Sequence, residues 1–282
     1  MSSGRPTRGS AKALVIRTAG TNCDAELVRA FELAGASATL MHLDRLIAEP
    51  QRLEEFDIIG FPGGFSYGDD VASGRIFAMR LRERLYPALR AAVARGCPMI
   101  GVCNGFQVLV QVGLLPGPAP GEQWPEGRPP RQEVALAAND SGRFVDRWVR
   151  VAPEPSSVCI WTRGLAEVYA ADPARADRVL MLPVAHGEGR FVPDSPEVLR
   201  RLEASGQVAL RYIDDPNGSA GSVAGICDAS GRIFGLMPHP ERYLEWVHHP
   251  FWTRLTEQDR RGDTPGLTFF RNAVEAAALV QA

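Results

Sequence analysis

Short apolar runs and helical spacing alternate along the first part of the chain. Ala13–Ile16 reads ALVI, a continuous run with β-branched members. Thr21–Ala34 then carries Leu27, Val28, Phe31, Leu33 and Ala34 at intervals of three and four before Gly35. That change of period predicts a strand followed by an amphipathic helix, with Asp24 at its first turn. Thr39–Leu43, Ile58–Phe61 and Met99–Val102 predict further strands. Arg75–Arg95 predicts one long amphipathic helix that buries Ile76, Met79, Leu85, Leu89 and Val93 and stops at Gly96 and Pro98; Phe106–Val112 predicts the next. Short apolar strands separated by helices are buried on both faces, as in a parallel α/β sheet.

Beyond Leu115 the pattern changes. Pro116–Pro130 is crowded with proline and glycine and predicts an exposed loop or insertion rather than a domain linker. After it Glu133–Ala137, Arg147–Val151, Ser157–Trp161, Val179–Val184, Gln207–Ile213, Ala224–Ile226 and Ile233–Met237 are expected as strands. Glu197–Ala204 is the one helix expected among them, and Leu267–Val280 closes the chain as a final helix. The expectation is a flavodoxin-like α/β fold, a mixed, mostly parallel sheet with helices on both faces. It forms a single domain over residues 13–282, after a polar leader at residues 1–12 that is expected to be disordered.

Composition narrows the class. The 282 residues are 45% hydrophobic and 23% charged, values of an ordinary globular protein that exclude disordered, collagen-like and coiled-coil readings. A net charge of −2 gives no electrostatic footprint for nucleic acid. No apolar run approaches the roughly 20 residues of a membrane helix, and no apolar stretch near Met1 could serve as a signal peptide. The five cysteines are scattered, with no C-x-x-C pair, so neither a disulfide framework nor a metal site is expected and a reducing cytoplasm fits. Cys97, Cys159 and Cys227 lie in or beside apolar runs and read as filler. Cys23 follows the first strand, where its position near a strand end leaves a functional role open, but it reads first as a packing or turn residue; His248-His249 reads as a solvated pair.

Chemistry concentrates in three segments. Gly101-Val102-Cys103-Asn104-Gly105 falls between a predicted strand and a predicted helix and has the form of a nucleophile elbow. The flanking glycines permit a sharp turn, and the helix N-terminus favours a thiolate. A core cysteine packed between glycines is the alternative. Met237–Arg242 reads MPHPER, whose prolines hold the segment extended, so His239 and Glu241 project to the same side. Glu241 can then hold one ring nitrogen while the other faces Cys103. Phe61–Asp69, FPGGFSYGD, brings backbone N–H groups together after a strand, either for a developing oxyanion or for a phosphate. The phosphate alternative lacks its lysine: Lys12 is the only one in the chain, and no G-x-x-x-x-G-K-[ST] occurs. An ATP-driven step is therefore expected on another polypeptide.

PGGFSYGD (Pro62–Asp69), GVCNGFQVL (Gly101–Leu109) and GLMPHPER (Gly235–Arg242) resemble the class I, or triad, glutamine amidotransferases. NDSGRF (Asn139–Phe144), LPVAHGEGRF (Leu182–Phe191) and QVALRY followed by PNGS (Gln207–Ser219) narrow the resemblance to the glutaminase components of phosphoribosylformylglycinamidine synthase, over roughly Ala13–Tyr243. The resemblance implies that Cys103 is the nucleophile, His239 the general base and acid, and Glu241 its orienter. It implies oxyanion donors at Gly64 and Asn104, and substrate contacts at Gly63, Gln107 and His186. Glutamine would be the substrate. The implied partner is a synthetase subunit that uses ATP and Mg to convert formylglycinamide ribonucleotide in purine biosynthesis, with a small accessory subunit as a further partner. No cofactor or metal is implied for this chain, nor any nucleic-acid or membrane binding. Two rivals stay open: a cysteine hydrolase of peptidase or deglycase type, in which Glu241 would be dispensable, and a non-catalytic scaffold. Asp70–Gly74 departs from the bulkier stretch of relatives, and Pro116–Pro130 and the segment from Trp246 onward lengthen the chain.

Overall fold

In β1 (Lys12–Arg17) the four central residues Ala13–Ile16 are buried in succession, which requires cover on both faces of the sheet. The structure, a computed structural model, describes residues 10–280; most of the expected leader lies outside the described residues, and Lys12 already begins β1. The first half continues through α1 (Asp24–Leu33), β2 (Ser37–His42), α2 (Leu43–Ala48), β3 (Ile58–Phe61), α3 (Arg75–Arg84), α4 (Tyr86–Ala94), β4 (Met99–Val102) and α5 (Asn104–Val112). The second half holds β5 (Val134–Ala137), β6 (Val145–Pro153), α6 (Leu165–Ala170), α7 (Pro173–Val179), β7 (Met181–His186), β8 (Arg190–Pro193) and α8 (Pro196–Ala204). It ends with β9 (Val208–Tyr212), β10 (Val223–Cys227), β11 (Ile233–Leu236) and α9 (Pro265–Val280).

Nine strands form one sheet in the order β2-β1-β3-β4-β11-β10-β9-β6-β7, and β5 pairs with β8 in a separate ribbon. The stretch from β2 to β11 is parallel, and from β11 onward each neighbour is antiparallel. Successive residues of a strand face opposite sides, and β3 shows the two layers. Gly60 sits against Leu27 and Phe31 of α1, whereas the Phe61 ring meets Phe77 of α3 at 6.3 Å. On the α1 face, Phe31 packs edge-on to Phe270 of α9 at 5.3 Å.

This topology positions the site. Strands β1, β3, β4 and β11 run the same way, so the loops after them share one edge of the sheet. Two reversals between β11 and β9, and two more between β9 and β7, bring the C-terminal end of β7 to that same edge. The chain leaves β1 toward β2 on one side and returns to β3 on the other, which opens a crevice at the strand ends.

Several expectations need correction. Arg75–Arg95 is two helices, because Pro87 near the start of α4 cannot donate to the preceding turn. Leu85 and Leu89 are buried as expected, but Met79 is half exposed. Ser157–Trp161 is not a strand. Its apolar residues cap the far end of the sheet through turn bonds, Val158 N to Gly206 O at 3.0 Å and Trp161 Nε1 to Arg232 O at 2.9 Å. Glu197–Ala204 is not the lone helix of the second half, since α6 and α7 precede it. The α7 start is capped by Asp172, which accepts from Arg175 N at 3.0 Å, with Pro173 in the first turn.

Candidate active site

Cys103 lies between β4 and α5 with φ 51° and ψ −108°, a left-handed backbone for a residue with a side chain. Its N–H donates to Leu236 O at 2.8 Å, which fixes the elbow to the end of β11. The glycines on either side are required by close approach. A Cβ at Gly105 would sit on the Phe61 carbonyl, and one at Gly101 would collide with the Gly105 carbonyl. Cys103 thus stands at the N-terminus of a helix, where backbone N–H groups lack intrahelical acceptors and favour negative charge. Its Sγ lies 3.7 Å from Ala185 O, at the end of β7.

His239 is held from the other side, its N–H donating to Pro183 O at 2.8 Å. Nδ1 of His239 and Oε1 of Glu241 are 2.6 Å apart, both side chains almost fully buried. Nε2 has no hydrogen-bond partner among the described residues. Burial alone disfavours the imidazolium, but Glu241, Cys103 and Cys23 together outweigh it and hold the ring well above its ordinary pKa. Gly63 marks where the groups converge. A Cβ built there would lie 2.8 Å from His239 Cε1, 3.3 Å from Cys23 Sγ and 3.4 Å from the Cys103 Cβ.

Around this centre the remaining expected residues fall as follows. Gly64, at φ 133°, packs on Asn22 and carries the loop past the thiols. Asn104 opens α5, and its side chain donates to Gln107 Oε1 at 3.0 Å. Gln107 in turn donates to Glu188 O at 2.5 Å, tying α5 to the turn after β7. His186 is buried, with Nδ1 3.1 Å from Asn139 Oδ1 and Nε2 unpartnered among the described residues. Burial, then the neighbouring His239, pull its pKa down to about 4, so the ring is neutral near pH 7.

A model of the CobB/CobQ-like glutamine amidotransferase domain matches residues 10–275. The chain belongs to this family. A relative from Dehalococcoides mccartyi, phosphoribosylformylglycinamidine synthase subunit PurQ, is 42% identical over 276 residues, covering 95% of this chain and 98% of its own. The subunit of the same name from Methanococcus maripaludis is 38% identical, covering 94% and 96%. Among solved structures, a chain of PurLQS from Thermotoga maritima superposes with a TM-score of 0.67 at 29% identity, over 94% of this amidotransferase and 98% of that chain.

One sequence expectation here is corrected and another is sharpened. Cys23, read first as a packing or turn residue with a functional role left open, ends the loop after β1, and its Sγ lies within 4.8 Å of ligand atoms on His239 and Glu241. Its place just beyond a strand end, beside the crevice, is the signal that left that role open. Cys23, His239 and Glu241 could together present three ligand atoms to a metal ion. That thiol, however, accepts from Arg242 Nη2 at 3.1 Å, and Nδ1 of the ring is spent on Glu241. His249 is not solvated. It is buried beside Trp148, Tyr243 and Phe251, with Nε2 3.0 Å from Arg178 O and Nδ1 accepting from Phe251 N, while His248 faces Glu245. Neither is placed to act with Cys103.

Proposed function

We propose that the chain is the glutaminase subunit of a phosphoribosylformylglycinamidine synthase, hydrolysing glutamine to glutamate and ammonia for a partner that makes formylglycinamidine ribonucleotide in purine biosynthesis. The observation that carries the chemistry is the Glu241–His239 pair at 2.6 Å, with Nε2 left open beside a cysteine on a strained elbow. With the Cys103 proton already resting on His239, the thiolate attacks the glutamine carboxamide carbon. The oxyanion forms against backbone N–H groups of Asn104 and the Gly63–Gly64 loop, where each donor contributes about 2.7–4 kcal/mol. His239 then protonates the departing nitrogen, the γ-glutamyl thioester remains on Cys103, and water activated by the same ring releases glutamate. Gln107 and His186 line the glutamine side of the site.

Full-length similarity to PurQ subunits supports a synthetase subunit as partner, and the likeness to a PurLQS chain supports a small third subunit. ATP and Mg are used by the synthetase; this chain has one lysine and no phosphate-binding glycine-lysine loop. No helix among the described residues is long and apolar enough to cross a membrane. Glutamate release by the purified chain, with and without its synthetase and nucleotide, tests the reading. Cys103→Ala is expected to abolish release while leaving the circular dichroism spectrum unchanged. Glutamine turnover retained in that variant would overturn the mechanism. Glu241→Ala separates the peptidase-like rival, which predicts a near-silent change, from the triad, which predicts a loss of at least about tenfold.

A further inference from the structure

We propose that Cys23 is a positioning residue: together with Glu26 it holds the Arg242 guanidinium away from Glu241, leaving that carboxylate to His239 alone. The inference rests on the triad reading above. Arg242 follows Glu241 directly in the chain, is half buried, and is close enough for the two charges to interact. Its donors are nevertheless turned elsewhere, Nη2 to Cys23 Sγ at 3.1 Å and Nε toward Glu26 Oε1 at 3.4 Å. Oε2 of Glu241, meanwhile, is buried without a hydrogen-bond partner among the described residues.

A bare, buried carboxylate oxygen beside a five-donor cation is an expensive arrangement and needs a reason. A guanidinium on Oε2 would compete for the charge that Oε1 presents to Nδ1 of His239, and its own positive charge would oppose the imidazolium. Cys23 suits the holding role. Its N–H is anchored on Gly63 O at 3.3 Å, and its thiol donates to Asn22 Oδ1 at 3.2 Å while accepting from Arg242. Glu26 lies three residues further on, so α1 presents both groups on one side. Burial raises the Cys23 thiol, only partly countered by His239 and Arg242, which suits an acceptor better than a second nucleophile. The charged and titratable groups facing His239 are then Glu241 and Arg242 on its own segment, Cys23 just ahead of α1, Cys103 from the elbow and His186 from β7, with Glu26 of α1 lying behind Arg242. Asp24 is taken by Arg17 at 3.3 Å.

The test is the pH profile of glutaminase kcat/KM for the full chain assayed with its synthetase partner. In Cys23→Ala, Arg242 is free to reach Glu241, and the alkaline limb, where His239 loses its proton, is expected to move about one unit toward acid. At the old midpoint kcat/KM then falls about fivefold, and well above it about tenfold, with KM for glutamine little changed. Adding Arg242→Met to Cys23→Ala returns the limb, and Cys23→Ser, which keeps an acceptor, retains the original profile. Glu26→Gln, at a more exposed position, shifts the limb in the same direction and carries the test if Cys23→Ala does not fold. An unmoved limb in a folded Cys23→Ala or Glu26→Gln, or a double variant no better than the single, overturns the proposal. Turnover retained by Cys103→Ala would instead mark failure of the triad reading, whatever the profile does.

Discussion

At the residue scale, the site is defined by what Gly63 lacks. Its backbone does not need a left-handed angle, so alanine is tolerated by φ and ψ, yet the added methyl would meet the His239 ring at 2.8 Å. Gly63→Ala is therefore expected to fold with little loss of stability while displacing the imidazole. Misplacement of a catalytic group by about 1 Å can cost about 10²-fold, and kcat should fall on that order. Steady-state kinetics beside a thermal melt check this; wild-type kcat in a folded variant would show that the ring is not held where the contacts place it. The His239–Glu241 contact and the elbow that turns Cys103 were legible in the sequence because each sits in a short motif whose local geometry aims it. The surroundings of Cys23 were not. Its partners are Gly63, His239 and Arg242, all remote in the chain, and no spacing around Gly20-Thr21-Asn22 encodes them.

At the scale of elements, strands were legible where burial on both faces made them continuous apolar runs: Ile58–Phe61 and Met99–Val102 fall on β3 and β4 as read. Short helices were not, because α6 and α7 span less than two turns each and offer too few periods to distinguish them from buried turns. The same limit hid the role of Asn139, which belongs to no regular element. Its Nδ2 donates to Arg143 O at 2.8 Å and His186 O at 2.9 Å, and its Oδ1 faces the Gly189 N–H at 3.2 Å and His186 Nδ1 at 3.1 Å. With its own amide donating to His186 O, Oδ1 is the acceptor; His186 therefore carries its proton on Nδ1 and a lone pair on Nε2. One side chain thus sets both the turn after β7 and the tautomer of the ring on it. Asn139→Leu has similar volume but strands two carbonyls, the Gly189 N–H and the His186 Nδ1–H, so about 2–4 kcal/mol of stability is expected to be lost in urea denaturation. Because this turn also holds Gln107 through Glu188 O, KM for glutamine should rise more than kcat falls. An unchanged KM would separate the turn from substrate binding.

For the whole molecule, the buried imidazoles set how folding responds to pH, and their signs differ. His239 is raised above its ordinary value, so its contribution is complete below about pH 6.5 and is lost as pH climbs through the folded pKa. His186 is depressed to about 4, so its contribution is complete above about pH 6.5 and drains away as pH falls toward that value. His249, also lowered by burial, acts in the same sense as His186. Asp69, raised first by burial, opposes them nearer pH 4. Between about pH 6.5 and 4 His239 is protonated in both folded and unfolded chains and adds no slope, so the acid loss of stability falls mainly on His186, with a ceiling of roughly 3 kcal/mol. Replacing His186 by glutamine removes that proton from the unfolded chain. Denaturant midpoints measured at intervals from pH 7 to 4.5 should fall less steeply in His186→Gln than in the wild type. Parallel curves would mean that the ring titrates near its ordinary value, and so that the interior beside Cys103 admits water this structure excludes.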